Sequence, residues 1–391
     1  MSDLPAPRAA PMTPEPPVNW GVLGTGMIAT TRMMPAIAAA SGACLAAVAS
    51  RDADRAGEAA KRSGAARGHG SYEALLDDPD VDVVYVALPN HLHVEWAARA
   101  LEAGKHVLCE KPLGLSVGDL RALREVRDRT GRLVGEALVF RNHPQWAAID
   151  GLLGDGGIGR VTAVHATLAR RFLDPDDIRN DPGAGGGGLY DLGPYAIGAC
   201  TAILGRAARR VVATIETDPA FGIDRLSSAL LDYGDAHATL TVATQSGTEG
   251  WGTHQALSVL GTQGWLCCDF PFAHARPTES HVMVGDRTSV GSFPTRTLTS
   301  RPSTSTSSRS SASLGSCAAS PCPPGRWRTR SSAWRPSTRS SRRRARGAGA
   351  SSGASSRCGG SARSCARGRR RGRCGAGRGA RGRGRRPAAG P

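Results

Sequence analysis

The stretch GTGMIA, residues 24–29, has the spacing of a loop that binds the pyrophosphate of a dinucleotide. It follows an apolar run and precedes a helical pattern, which is the context that the motif requires. Gly24 permits a tight turn, Gly26 lets the backbone approach a phosphate, and Ala29 allows the helix to pack closely on a sheet. A purely structural turn is the alternative. The predicted cofactor contacts here are Gly24, Thr25, Gly26, Met27, Ile28 and Ala29.

The residues after the second predicted strand bear on which dinucleotide binds. A domain that prefers NAD carries Asp or Glu there, which accepts hydrogen bonds from the ribose hydroxyls. This sequence has Ser50 and Arg51, which could bind a 2′-phosphate that a carboxylate would repel. We therefore expect NADP. NAD stays an alternative because Asp52 and Asp54 follow closely, and Arg51 is otherwise a solvated loop charge.

Two further loops are expected to reach the nicotinamide. The motif PNHLH, residues 89–93, follows the apolar run VDVVYVAL, and CEKPLG, residues 109–114, follows the next strand. Ligands of a doubly wound sheet bind at the carboxyl ends of its strands. A lysine there could lie beside the nicotinamide, although a lysine after a strand is more often exposed. The predicted cofactor contacts in these loops are Pro89, Asn90, His93, Glu110 and Lys111.

These motifs need a scaffold, and the rest of the sequence predicts one. Over residues 18–138, apolar runs alternate with helical patterns, which indicates an α/β Rossmann domain with a doubly wound parallel sheet. Over residues 139–299, strand patterns such as RVVATIET and QALSVLG follow one another with few helices, which predicts an α+β domain with an open, mainly antiparallel sheet. The exposed face of such a sheet favours a homodimer or a higher oligomer.

The positive charge of the chain lies in its last segment. The 391 residues carry a formal net charge of +17, yet residues 300–391 contain 23 Arg and no Lys, Asp or Glu. Residues 1–299 are therefore mildly acidic, and their composition gives no reason to expect a membrane or a nucleic acid as partner. Residues 1–17 contain six prolines and no apolar core, which predicts a disordered leader.

Cysteines and histidines give no sign of a metal site. The five cysteines of residues 1–299 lack metal-type and secreted-scaffold spacing, which favours reduced thiols in a cytoplasmic protein. His91, His93 and His143 lie in different loops without ligand spacing. We expect no metal.

The motifs together resemble the glucose–fructose oxidoreductase / inositol dehydrogenase (Gfo/Idh/MocA) family over about residues 18–299. The resemblance rests on GTGMIA, PNHLH, CEKPLG and GGGGLYDLGPYAIG, residues 185–198, in this order. It implies a dinucleotide-dependent oxidoreductase whose second domain contacts substrate and pairs subunits. Many members have an Asp, then a Gly and then a His in this stretch; this chain keeps Asp191 and Gly193 and has Tyr195 in place of the His. That departure is similar to the branch of aldose (xylose or glucose) 1-dehydrogenases and trans-dihydrodiol dehydrogenases.

Alcohol oxidation removes the hydroxyl proton while hydride leaves the same carbon. A tyrosine of ordinary pKa, about 10, is a poor base at neutral pH, and a nearby cation would lower that pKa. We expect Tyr195 to be the general acid–base, Lys111 the cation, and Asp191 the residue that positions substrate or Tyr195. The roles of Lys111 and Tyr195 could be exchanged, and a packing role is the alternative for Tyr195. The predicted substrate contacts are Arg141, His143 and Tyr195.

Residues 300–391 predict a low-complexity, disordered tail, because they cannot bury enough apolar surface to fold. A GC-rich gene read out of frame yields Arg, Ser, Ala, Gly and Pro without acids. One permitted codon choice for residues 301–313, read from its third base, places apolar residues at helical spacing. We therefore expect a frameshift near residue 299 that removes a C-terminal packing layer. An uninterrupted frame in the resequenced gene would exclude it.

The sequence thus predicts an NADP-dependent dehydrogenase that acts on a CH–OH group, either C1 of an aldopyranose or a cyclic diol carbon. Two alternatives remain open. One is a nucleic-acid-binding protein that uses its RG-rich tail to contact phosphates. The other is a dinucleotide-binding protein without turnover.

Overall fold

A computed structural model describes residues 16–247, 253–272, 280–286 and 296–300. The predicted leader up to residue 15 and the predicted tail from residue 301 lie outside the described residues. The expected frameshift near residue 299 stays a prediction.

The first sheet is built from six parallel strands. They are β1 (Val18–Leu23), β2 (Ala43–Ala49), β3 (Arg67–His69), β4 (Val83–Val86), β5 (His106–Cys109) and β6 (Val134–Glu136). Their order across the sheet is β3–β2–β1–β4–β5–β6. The order reverses beside β1, and in doubly wound sheets such a reversal opens a crevice at the carboxyl ends of the strands.

Helices cover both faces of this sheet. They are α1 (Met34–Ala39), α2 (Ala53–Ser63), α3 (Tyr72–Leu76), α4 (His93–Glu102) and α5 (Val117–Thr130). A π-helical turn over Ala29–Met33 leads into α1. Helix α4 shows how the covering works, because Trp96, Ala97 and Leu101 lie on one helical stripe and are buried against the sheet.

The second sheet is mixed and mainly antiparallel. Its strands are β7 (Val161–Ala169), β8 (Arg210–Thr217), β9 (Asp224–Asp232), β10 (His237–Ala243), β11 (His254–Gly261), β12 (Gly264–Asp269), β13 (Ser280–Asp286) and β14 (Arg296–Ser300). Their order is β14–β13–β12–β11–β7–β10–β9–β8, and only β7 and β10 pair in parallel among these described strands.

Three helices accompany the second sheet: α6 (Pro144–Gly154), α7 (Gly188–Asp191) and α8 (Gly193–Leu204). Its core contains an aromatic cluster in which Phe140 contacts Trp146 at a centroid distance of 4.9 Å and Phe272 at 5.6 Å. Tyr195, on α8, packs at the edge of this cluster, 6.0 Å from Phe140. The cluster therefore fixes the start of α8 against the sheet.

The predicted fold class is confirmed, whereas several elements escaped prediction. Strand β3 has three residues and owes its form to parallel pairing with β2, which no local pattern reveals. Strand β12 and helices α3 and α8 were also missed. Strand β6 ends at Glu136, shortly before the chain turns into a 3₁₀ helix over Val139–Asn142.

One edge of the second sheet exposes apolar side chains. Val212 on β8 pairs with Leu230 on β9, and they are 72% and 47% exposed. No helix in the described part of the chain is both long and apolar enough to cross a membrane.

Candidate active site

The predicted glycine turn lies at the carboxyl end of β1. The Gly24 amide donates to Ala49 O at 3.0 Å, and Gly24 has a φ of +99°. A Cβ on Gly24 would lie 2.5 Å from Ala87 O, so only glycine fits. At Gly26 a Cβ would meet no heavy atom within 4 Å, so the outer side of the turn is open. Ala29 is fully buried, as close packing of helix on sheet requires.

This arrangement fits a dinucleotide. Thr25 and Ile28 are partly exposed and Met27 is exposed on the same turn. The open backbone at Gly26 leaves room for a pyrophosphate.

The end of β2 carries no carboxylate. Ser50 is buried and its hydroxyl accepts from the Asp52 amide at 3.2 Å, while Arg51 is exposed. Asp52, the nearest alternative partner for a ribose, caps α2 by accepting from the Arg55 amide at 3.0 Å. Asp54 follows, exposed in the first turn of α2. The group best placed to meet a ribose substituent is therefore the guanidinium of Arg51.

The loop after β4 joins other loops. Following Pro89, the Asn90 side-chain amide donates to Gly185 O at 2.9 Å, which ties this loop to the glycine-rich stretch of the second half. His93 is fully buried, with Nδ1 2.7 Å from Pro112 O and Nε2 2.8 Å from Leu88 O. Its ring holds two loops together, so we correct the expected direct cofactor contact to a supporting one.

Lys111 follows β5 and meets Asp191 from the other half of the molecule. Its ammonium donates to Asp191 Oδ1 and to Asp191 O, both at 2.7 Å. The ammonium also lies 5.2 Å from the centre of the Tyr195 ring. The structure thus brings the three predicted catalytic residues into one cluster, with the Lys111 and Asp191 side chains 12% and 10% exposed.

The charged groups of this cluster hold one another in their ionised forms. Burial would raise the pKa of Asp191, but the charges of Lys111 and Arg179 outweigh it and hold that pKa at about 2. Burial would lower the pKa of Lys111, but Asp191 outweighs it and raises that pKa. The pair is therefore ionised across the neutral range.

The pKa of Tyr195 is raised, whereas the sequence predicted that Lys111 would lower it. Burial raises its pKa, and the opposing effect of Lys111 is smaller, so the net shift is upward instead of downward. The phenol is therefore protonated at neutral pH. A protonated tyrosine beside an ammonium can donate a proton to a developing alkoxide.

Arg179 is a site residue that the sequence did not reveal. Its Nε lies 3.4 Å from Asp191 Oδ2, its Nη1 donates to Asp177 Oδ1 at 3.1 Å, and its guanidinium lies 4.8 Å from the Phe172 ring centre. Asp191 therefore stands between two cations. The run DPDDIRND that contains Arg179 reads as an ordinary charged loop, so no local pattern marks this residue.

Glu110 is held in place beside Lys111. The hydroxyl of buried Tyr85 donates to Glu110 Oε1, and the Lys111 amide donates to Glu110 Oε2 at 3.2 Å. Burial, followed by the Glu110 charge, raises the pKa of Tyr85, so this phenol stays protonated. Both carboxylate oxygens have donors, which orients Glu110 at the crevice.

The two other predicted substrate contacts, Arg141 and His143, both bond to residues of helix α6. Arg141 pairs with Asp150 through N–O distances of 3.0 and 3.2 Å and lies 5.0 Å from the Trp146 ring centre. His143 Nδ1 accepts from the Gln145 amide at 3.2 Å and so caps the helix, and burial lowers the pKa of His143. Their contact with a substrate stays a prediction.

Within the described ranges, no group of three His, Cys, Asp or Glu side chains is arranged to hold a metal ion.

Comparisons with known proteins agree with this geometry. Residues 18–138 match the model of an oxidoreductase family with an NAD-binding Rossmann fold, and residues 146–267 match that of the GFO/IDH/MocA C-terminal domain. The chain is 38% identical over 230 residues to D-xylose 1-dehydrogenase (NADP(+)) 2 of Haloferax volcanii, which covers 59% of this chain and 70% of that protein.

Two further comparisons concern reductases. The chain is 37% identical over 254 residues to the dTDP-3,4-didehydro-2,6-dideoxy-alpha-D-glucose 3-reductase of Streptomyces violaceoruber, across 64% of this chain and 72% of that one. The fold is similar to that of a 3-ketoreductase from Actinomadura kijaniata in complex with NADP and TDP-benzene. The TM-score is 0.66 at 31% identity, covering 73% of this chain and 85% of that chain.

Proposed function

This chain belongs to the GFO/IDH/MocA family of oxidoreductases, and we propose that it is an NADP-dependent enzyme acting on a sugar or a cyclic diol. It would transfer a hydride between nicotinamide and the carbon that bears the reacting oxygen. The observation that carries this proposal is the cluster of Lys111, Asp191 and Tyr195. It unites a residue at the carboxyl end of the dinucleotide-type sheet with two residues of the other half.

The three residues have distinct tasks in this proposal. When bound, the nicotinamide supplies or accepts the hydride. An ammonium can donate three hydrogen bonds. Lys111 donates two of them to Asp191, which leaves one for the reacting oxygen. Tyr195 donates its phenolic proton to that oxygen during reduction of a carbonyl and takes it back during oxidation of the alcohol. Asp191 keeps the ammonium charged and aimed.

The raised pKa of Tyr195 favours carbonyl reduction over alcohol oxidation at neutral pH. Because burial keeps the phenol protonated, it is ready to donate, and reduction of a carbonyl needs no prior ionisation. Oxidation requires the phenolate, which the Lys111 ammonium must stabilise. The sugar 3-reductase and the 3-ketoreductase among the similar proteins are named for the same direction.

NADP is the proposed cofactor because of the residues after β2. Arg51 is exposed there, and the first carboxylate, Asp52, already caps a helix. A guanidinium binds a phosphate through charge-assisted hydrogen bonds. The similar xylose dehydrogenase is named for NADP(+), and the similar 3-ketoreductase was crystallised with NADP.

A turnover screen tests the proposal. Xylose, glucose, a cyclic dihydrodiol and a nucleotide-linked keto sugar are each offered with NADP(H) and with NAD(H), and the change in nicotinamide absorbance is followed. We expect turnover of at least one with NADP(H), and its loss in Tyr195→Phe. Tight NADPH binding with no turnover of any of the four would instead support the dinucleotide-binding protein without activity.

We also propose a dimer formed through the open face of the second sheet. Val212 and Leu230 lie side by side there and are largely exposed. Light scattering should give twice the chain mass, and Leu230→Glu should give the chain mass. A monomeric parent protein would exclude this pairing.

A further inference from the structure

Asp224 connects the second sheet to the short helix that carries Asp191. It is the first residue of β9, and its Oδ2 accepts from the Leu189 amide at 2.7 Å and from the Ser227 hydroxyl at 2.7 Å. Leu189 is the second residue of α7, and Asp191 ends that helix. The carboxylate of Asp224 is therefore bonded to the backbone two residues before Asp191.

The glycine run before α7 has the shape that this contact requires. Gly187 has a φ of +116°, and a Cβ there would overlap Asp224 Oδ1. At Gly188 a Cβ would lie 3.2 Å from Asp224 Oδ2. Side chains at these positions would push the carboxylate away from the Leu189 amide. The glycines thus let Asp224 approach the backbone closely.

Helix α7 needs external support because it is a single turn of four residues. Isolated helices of this length are unstable in water, since few hydrogen bonds offset the cost of ordering the backbone. On one side, the Lys111 ammonium restrains the end of α7, because it donates hydrogen bonds to both Asp191 O and Asp191 Oδ1. From the other side, Asp224 holds the Leu189 amide. The helix is clamped between the two halves of the molecule.

We propose that Asp224 is a positioning residue that aims Asp191 at the ammonium of Lys111. This inference rests on the proposed function for its effect on turnover. The contact itself can be tested without any substrate. Asp224 acts through the backbone of α7, so its loss should displace Asp191 and turn the ammonium away from the reacting oxygen. A displacement near 1 Å at a reacting group costs up to about 100-fold in rate.

Three variants separate shape from charge at this position. Asp224→Ala removes the acceptor, and Asp224→Glu keeps the charge but adds a methylene where the glycines leave no room. Asp224→Asn can keep its amide oxygen in the place of Oδ2, which receives both hydrogen bonds. Asp232→Ala is the matched control, because Asp232 ends the same strand and pairs with Arg210 at the surface.

We expect kcat to fall by about 10- to 100-fold in the Ala and Glu variants of Asp224. The Kd for NADPH should stay within about twofold, because the cofactor-binding turn lies in the other half. Asp224→Asn and Asp232→Ala should keep kcat within about threefold. Unchanged kcat in folded Asp224→Ala and Asp224→Glu would overturn the proposal. So would an equal loss of kcat and NADPH affinity, which would indicate general unfolding.

A second measurement tests the position of Asp191 and needs no substrate. The carboxyl carbon of Asp191 is followed by ¹³C NMR between about pH 3 and 6, with Asp191→Asn identifying its signal. In the parent protein and in Asp224→Asn the signal should stay that of a carboxylate. In Asp224→Ala its titration should move upward into this pH range, because the carboxylate has left Lys111. If the Asp191 signal is the same in all of them, Asp224 does not position it, whether or not the protein turns over a sugar.

Discussion

Replacing Asp191 by Asn tests the buried ion pair from its acidic side. The change keeps the shape of the side chain but removes the charge that faces Lys111 at 2.7 Å and Arg179 at 3.4 Å. The Lys111 ammonium is then left 12% exposed with a neutral neighbour in place of a carboxylate. Breaking one partner of a buried pair is strongly destabilising, because it leaves an uncompensated charge.

The magnitude follows from the acidity of Asp191. Its pKa falls from an ordinary value of 3.8 to about 2 on folding. This difference corresponds to roughly 2 kcal/mol of stabilisation at pH 7, and the stranded ammonium brings the expected loss to about 2–4 kcal/mol. Because the folded-state pKa is the lower one, the stabilisation is present above pH 3.8 and disappears as the pH falls toward about 2. About half of the carboxylate contribution remains at pH 3.

Urea unfolding followed by circular dichroism at pH 7 and pH 3 measures this effect. The gap in unfolding free energy between the parent protein and Asp191→Asn should be large at pH 7 and clearly smaller at pH 3. Asp232→Asn is the control, because its partner Arg210 is 82% exposed and such surface pairs contribute little. Equal stability at pH 7, or a gap that does not change with pH, would show that the charge of Asp191 does not stabilise the fold.

Three other predictions concern cofactor binding by Arg51, the loops that His93 joins, and the protonation of Tyr195. Arg51→Ala should weaken NADPH binding by about 10-fold and leave NADH binding unchanged, as measured by fluorescence titration; a similar effect from Arg55→Ala would speak against a specific phosphate contact. His93→Ala should lower the unfolding free energy by about 2–4 kcal/mol, because it removes a fully buried ring together with the hydrogen bond that the ring donates to a buried carbonyl, whereas exposed His91→Ala should not; equal urea midpoints would contradict this. Because burial keeps Tyr195 protonated, the rate of carbonyl reduction should be level from about pH 6 to 9, and a fall across that range would show a more acidic phenol.

The sequence was sufficient to predict the crevice because its motifs follow strand ends. The carboxyl ends of parallel strands meet at one edge, so the motifs after β1, β4 and β5 had to share it. The position of Lys111 at that edge followed directly. That Asp191 and Tyr195 reach the same place depends on how the second sheet docks, and this came from the family resemblance instead of the local pattern.

Contacts between distant parts of the chain could not be predicted. Asp224 bonds Leu189 across 35 residues, and Arg179 approaches Asp191 from an irregular loop. His93 lies in a motif that suggested a ligand, yet its ring is buried between two carbonyls. For Tyr195 the sign of the pKa shift depended on burial against the Lys111 charge, which sequence alone does not weigh.

The rate of hydride transfer in Tyr195→Phe is the most direct test of the proposed chemistry. The substrate is the best one from the turnover screen, and NADPH oxidation is followed in a single turnover by stopped-flow absorbance. We expect a rate about 100-fold or more below that of the parent protein, with NADPH affinity unchanged, because only the proton donor is lost. A rate close to that of the parent protein would show that Tyr195 is not the acid.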